Sequence, residues 1–135
     1  MYHLVLKKFF FCLLVLFLQF NLFGQSFPKY AATFGGKESG LIKRGEFLAQ
    51  NGIGGMRWIG GNHWERIPID SFSIIIIRDS VTLVNKKIKG QVFTEDLRQI
   101  PTGLTSNDRV IFYGIYAKNY NNQQVLIRPI ELIIE

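Results

Sequence analysis

Arg109-Val110-Ile111-Phe112-Tyr113-Gly114-Ile115-Tyr116-Ala117 and Gln124-Val125-Leu126-Ile127-Arg128-Pro129-Ile130-Glu131-Leu132-Ile133-Ile134 decide the fold class of this chain. Both stretches are dominated by β-branched and aromatic residues, the types that fit a pleated, half-buried surface. Between them lies an Asn-rich stretch, Asn119 to Asn122, whose residues tolerate the left-handed conformations of tight turns. An antiparallel hairpin is therefore expected at the C-terminal end.

Working outward, Ile67 to Arg78 begins with alternating apolar positions and becomes the run Ile74-Ile75-Ile76-Ile77, which predicts a strand covered on both faces. Pro68 favours an edge or a bulge at its start. Ser80 to Val84 is a further β-like piece, and Asn85-Lys86-Lys87 reads as a turn before Ile88, Gly90, Val92 and Phe93. Thr94 ahead of Glu95 and Asp96 has the form of a helix N-cap with acidic residues in the first turn, and Pro101 stops that helix after Ile100.

Nearer the N-terminus, Lys43 to Gly52 predicts one or two helical turns with Gly52 as the C-cap. Gly54 to Ile59 is a short strand, ended by a loop from Gly60 to Arg66, and Phe27 to Gly40 is a turn-rich entry loop. Roughly five to seven short strands with one or two small helices indicate an all-β domain, an antiparallel β-sandwich that is Ig-like or related.

The chain has 135 residues and a net charge of +6, enough for one domain. Lys7 and Lys8 precede an apolar run from Phe9 to Leu18, followed by Gly24, Gln25 and Ser26, the layout of a signal peptide over 1–24 with cleavage before Gln25. Gln19 and Asn21 interrupt the run short of a spanning length, so the mature form is expected to lack a membrane span; cleavage of the signal and its retention as an anchor stay open. The domain is then expected to cover 25–135 and to be exported to the periplasm, free or associated with the envelope. Subtracting Lys7 and Lys8 leaves fourteen basic against ten acidic residues, a scattered net +4 that argues against nucleic acid as a partner. The single cysteine, Cys12, falls in the signal, so the mature domain has no disulfide and no thiolate ligand.

Catalytic material is sparse. His63 is the only histidine after the signal, and Asp70, Ser71 and Ser73 stand near no local frame of a nucleophile elbow. The carboxylates, including Asp70, Asp79 and Asp108, fall where solvated turns and strand ends would place them. Neither a phosphate loop nor a metal-ligand spacing is present, so no cofactor and no metal are expected and the protein reads as a non-enzyme. The richest local feature is Arg57-Trp58 with His63-Trp64-Glu65-Arg66, which gathers both tryptophans around a glycine-rich segment. Trp and Arg combine large contact area with polar handles. Arg57, Trp58, His63, Trp64 and Arg66 are accordingly the candidate partner-contact residues. Tyr113, Tyr116 and Tyr120 add aromatic faces, which makes a carbohydrate or peptidoglycan binding module the alternative.

Phe34-Gly35-Gly36-Lys37-Glu38-Ser39-Gly40 followed by Ile42 to Gln50, then Ile69-Asp70-Ser71-Phe72, Asn107-Asp108-Arg109-Val110, and Val125 to Ile134 around Arg128-Pro129-Ile130, resemble in order and spacing the C-terminal periplasmic domain of the GldM/PorM gliding-motility and type IX secretion family. The resemblance implies a β-sandwich at the outer tip of a periplasmic shaft, a homodimer, and contact with envelope proteins such as type IX secretion ring or motor components. It brings no catalytic residue. The sequence departs from the family in its signal-like N-terminus, which stands in place of a spanning helix and further domains, and in the Trp58 to Arg66 segment with its additional Gly-Gly.

Overall fold

The computed structural model describes residues 29–135, so the signal segment and its cleavage point lie outside the described residues. In chain order the elements are β1 (Tyr30–Thr33), β2 (Ser39–Ile42), α1 (Arg44–Leu48), β3 (Gly54–Gly60), β4 (His63–Ile67), β5 (Ser71–Arg78), β6 (Val81–Lys89), α2 (Glu95–Gln99) continuing into a 3₁₀ turn (Ile100–Gly103), β7 (Arg109–Lys118), β8 (Gln124–Ile127) and β9 (Ile130–Ile134). The predicted all-β class is what the chain adopts. A small sheet runs in the order β1-β3-β4, and a larger one in the order β2-β9-β7-β5-β6 with β8 also on β7. Ladders are antiparallel except where β2 runs parallel to β9. The arrangement is sandwich-like, and among the described residues no helix is long and apolar enough to cross a membrane.

The core between the layers is aromatic at its centre. Phe34 follows β1, Phe47 lies on α1, Phe72 on β5, Phe93 ahead of α2 and Phe112 on β7; all five are buried. Phe34 meets Phe47 and Phe112 at ring-centroid separations of 4.6 and 4.9 Å, and Phe72 meets Phe112 at 5.9 Å. Such tilted and offset pairs add roughly 1 kcal/mol each to the area they bury. With no disulfide in the described residues, this packing and the ladders around it hold the layers together.

The long C-terminal strand expected from Gln124 to Ile134 is two strands. Pro129 has no N–H for the ladder, and β7 changes partner there, pairing β9 through Arg109–Phe112 and β8 through Ile115–Lys118. Gly114 sits at the changeover with φ of 55°, and its extra residue shifts the register against β5 between Ser71 and Ser73. A left-handed bulge of this kind favours glycine, which has no Cβ to clash there.

Other expectations are corrected. The Asn85-Lys86-Lys87 segment is not a turn: β6 runs unbroken from Val81 to Lys89, and the chain reverses at Asp79 and Ser80, both with positive φ. An exposed edge strand tolerates Asn and Lys, which is why their composition misleads. The entry loop contains β1 and β2, which the isolated bridge Phe34↔Lys37 joins. Helix α1 ends at Leu48 with Ala49 as its cap; Gly52 serves a β-bridge to Val92, where a Cβ would lie 1.9 Å from the Gln91 carbonyl oxygen. Ile67 closes β4 instead of opening β5, and the Ile74–Ile77 run is covered on one face, with Ile74 and Ile76 buried and Ile75 and Ile77 half-buried. Thr94 caps α2 without a side-chain bond to its backbone, and Pro101 lies within the 3₁₀ turn.

Asp108, expected at a solvated turn, is 1 % exposed. Arg78, at the end of β5, grips both of its oxygens, donating from Nε to Oδ1 at 2.9 Å and from Nη2 to Oδ2 at 2.8 Å. The Thr105 backbone N–H also donates to Oδ2 at 2.8 Å. The Arg78 guanidinium foremost, with the Thr105 bonds, holds the Asp108 carboxyl below the usual carboxylate range despite its burial. The same pairing ties the start of β7 to β5, and the Asp108 carbonyl accepts from the Ile134 N–H, locking β9 alongside.

Candidate functional site

The segment expected to be a strand followed by a loop is a β-hairpin. Strands β3 and β4 pair from Gly55↔Ile67 through Met56↔Arg66 and Arg57↔Glu65 to Trp58↔Trp64, and the chain reverses at Gly61-Asn62. The two tryptophans are therefore directly opposite one another, in the position where cross-strand side chains touch. They remain 38 % and 42 % exposed, and the next residue, Ile59, is 54 % exposed. Trp58 Nε1 donates to the Gly61 carbonyl at 2.8 Å and its backbone N–H donates to the Lys29 carbonyl at 2.8 Å, so the indole is held at a fixed angle to the turn.

Strand alternation divides the five candidate residues between two faces. Trp58, Trp64 and Arg66 lie on one face together with Met56. Arg57 lies on the other, where Glu65 pairs with it across the strands. The Arg57 guanidinium carbon stands 3.5 Å from the centroid of the Tyr120 ring, and the Tyr120 hydroxyl donates to Glu65 Oε1 at 3.3 Å. The Arg57 side chain is only 13 % exposed, and its Nε is buried without a hydrogen-bond partner. Arg57 is thus a brace that joins the hairpin to the β7–β8 turn. His63 sits at the hairpin tip, exposed, opposite Gly60 where the register slips.

The turn that carries Tyr120 is itself stiff. Asn119 Oδ1 accepts from the N–H groups of Asn121 at 3.0 Å and Gln123 at 2.9 Å, an Asx-type arrangement. The outer face of the hairpin continues from the tryptophans past Met56 and Arg66 into a cleft of about 680 Å³ whose lining includes Gly35, Gly36, Gln50 and Asn51. Apolar contact area, a cation and backbone edges thus adjoin on one surface.

The three tyrosines do not form one platform. Tyr113 donates its hydroxyl to Asn85 Oδ1 at 2.7 Å on the large sheet, and Tyr116 belongs to the same strand, whereas Tyr120 is spent on the Arg57 brace. Ser71 and Ser73 lie on β5 in the large sheet and His63 at the tip of the small one. Among the described residues no three of His, Cys, Asp and Glu come together as a metal-binding group.

Neither protein-family models nor curated proteins match the chain. The site is accordingly argued from its own geometry. The Trp58 and Trp64 pairing had a signal in the sequence, since the two stand at equal distances from Gly61 and the glycines between them suit a tight reversal. The Tyr120–Arg57–Glu65 brace had none, because Tyr120 is 55 residues from Glu65.

Proposed function

We propose that this chain is a non-enzymatic, exported protein–protein interaction domain that meets an envelope protein through the β3–β4 hairpin. The observation that carries the proposal is the Trp58/Trp64 pair, presented half-exposed with Ile59 at a hairpin tip that bonds to Gly61 and the Arg57–Glu65–Tyr120 brace hold rigid. A rigid aromatic anchor gives up little conformational entropy when a partner covers it. Arg66 beside the pair adds a polar handle at the rim.

The motif order shared with the GldM/PorM C-terminal domain supports placing the partner among type IX secretion ring or motor components, with the domain acting at the periplasmic side of that machinery and as a homodimer. Affinity capture from cross-linked cell envelopes tests this. Trp64→Ala should lose the captured ring or motor component while the domain keeps its thermal transition; unchanged capture removes the hairpin from the contact, and capture of no such component removes the machinery.

Two indoles side by side also favour a second reading, stacking on sugar rings of a polysaccharide or peptidoglycan. The dispersal of Tyr113, Tyr116 and Tyr120 over separate surfaces leaves that reading with the tryptophan pair alone. Retention on a polysaccharide column that Trp64→Ala abolishes would favour it over the protein contact.

A further inference from the structure

The cleft that continues the outer face of the β3–β4 hairpin has a volume of about 680 Å³. Among its described lining residues Arg66 alone carries a charge. Arg66 is exposed across from Met56, and among the described residues no carboxylate pairs with it. A cation at the wall of a cleft without an acid leaves its charge for the anion of a ligand. A guanidinium suits a carboxylate in particular, because two of its N–H donors match the two oxygens.

The rest of the cleft presents main chain and amides. Gly35 and Gly36 form a two-residue turn with φ of 57° and 78°, which Phe34 and Lys37 close with backbone bonds of 2.9 and 3.0 Å. A Cβ on Gly36 would meet nothing within 4 Å, so the turn leaves open space there. Gly52 and Gly54 also line the cleft, which brings bare backbone to its wall. Gln50, Asn51 and Gln91 add side-chain amides, each able to donate and accept as a peptide group does. The Gln91 amide is fixed in place, since its Oε1 accepts from the Ile69 N–H at 3.0 Å and its Nε2 remains as a donor.

Along β3 and β4 the step from the Trp58/Trp64 pair to Met56 and Arg66 is two residues, about 7 Å. Alternate side chains of an extended segment laid alongside have the same spacing. We propose that the cleft receives an extended segment of the partner protein in which an apolar and an acidic residue stand two positions apart. The apolar side chain covers the tryptophan pair and the carboxylate meets Arg66. Small residues beyond the acid let the main chain of the segment reach the glycines and the amides of Gln50, Asn51 and Gln91. Main-chain bonds supply affinity, and the apolar and acidic positions supply selectivity. The two-residue step favours a peptide over a sugar chain, whose repeat is a ring. This inference deepens the protein-contact reading of the hairpin and rests on it.

The probes are labelled, end-blocked seven-residue peptides with phenylalanine first, glutamate third and serine or glycine elsewhere, and the same sequence reversed. Fluorescence anisotropy should show saturable binding of at least one of them, weakened by added salt. Glutamine in place of the peptide's glutamate, or Arg66→Glu in the protein, should weaken it roughly fivefold or more. A peptide with lysine in place of the glutamate should regain binding to the Arg66→Glu protein, which a merely structural role for Arg66 would not produce. Failure of both peptides to bind, equal affinity for the glutamate and glutamine peptides, or unchanged binding in Arg66→Glu each overturns the proposal. Binding of oligogalacturonate where both peptides fail overturns it in favour of an acidic sugar. In envelope capture, a partner lost in Trp64→Ala but fully retained in Arg66→Glu overturns this inference alone, whereas unchanged capture in Trp64→Ala removes the hairpin contact beneath it. The glutamate-to-glutamine comparison uses the unaltered protein, so the test stands even where a variant fails to fold.

Discussion

Replacing Asp108 with asparagine is expected to cost this domain a large part of its stability, because the carboxylate is a buried junction of three segments. Its oxygens accept from Arg78 Nε, Arg78 Nη2 and the Thr105 N–H at 2.8 to 2.9 Å. Asparagine keeps the shape but offers one oxygen. If that oxygen keeps the Arg78 Nη2 and Thr105 donors, the amide nitrogen is turned toward the Arg78 Nε donor; one charge-assisted bond is then lost and the rest become neutral-acceptor bonds. Bonds to a charged group contribute about 1.5–3 kcal/mol. Breaking a fully buried ion pair costs about 3–5 kcal/mol, but the Arg78 side chain is 36 % exposed and can recover water, so the lower part of these ranges applies. The expected loss in Asp108→Asn is about 2–3 kcal/mol, equivalent to a fall in Tm of roughly 10 °C for a domain of this size.

Urea unfolding followed by tryptophan fluorescence, with Tm from circular dichroism, measures the effect at neutral pH. The pH dependence gives an independent check. Arg78 and Thr105 lower the folded-state pKa of Asp108, so the group's contribution is fully present above the unfolded carboxylate value of about 3.9 and is lost as pH falls through the folded value below it. The gap between the native protein and Asp108→Asn should therefore hold from pH 7 to about pH 5 and close in stronger acid. A loss under about 0.5 kcal/mol at pH 7, or a gap that persists undiminished at the lowest pH where the native protein stays folded, would refute the reasoning.

Gly52→Ala should destabilise the domain by about 1–3 kcal/mol, since the added Cβ meets the Gln91 backbone oxygen at 1.9 Å and the two segments are pinned by the Ile53 N–H donating to the Gln91 carbonyl and the Phe93 N–H to the Asn51 carbonyl; a Tm equal to that of the native protein would show that the bridge to Val92 gives way easily. Phe112→Ala removes the ring that touches Phe34, Phe72 and Phe93 and should cost about 3–5 kcal/mol in urea unfolding, several times the effect at a half-exposed position such as Ile75. The Asp96 carboxyl, held at about 2 by hydrogen bonds from Lys86 foremost and from Thr94, should return toward the ordinary carboxylate range in Lys86→Ala, as read from its carbon chemical shift across an acid titration.

The sequence by itself determined the all-β class, the β7 hairpin with its Asn119–Asn122 turn, and the two short helices, because each rests on local patterns: apolar alternation, turn residues, and helix formers with acidic residues in the first turn act within a few positions of one another. It also drew attention to Arg57, Trp58, His63, Trp64 and Arg66, where unusual residue types crowd together. Tertiary structure decided what those residues do. Trp58 and Trp64 became one exposed pair only when β3 and β4 aligned, and the same alignment put Arg57 on the opposite face, where Tyr120, far along the chain, closes over it. Asp108 and the segment from Asn85 to Lys87 show the same division. Aspartate beside asparagine, or asparagine beside lysines, has the composition of a solvated turn, and only Arg78 arriving from β5 makes one a buried ion pair, just as only the ladder to β5 makes the other a strand. Composition reports what a residue tolerates, while the partner that reaches it across the fold selects among those states.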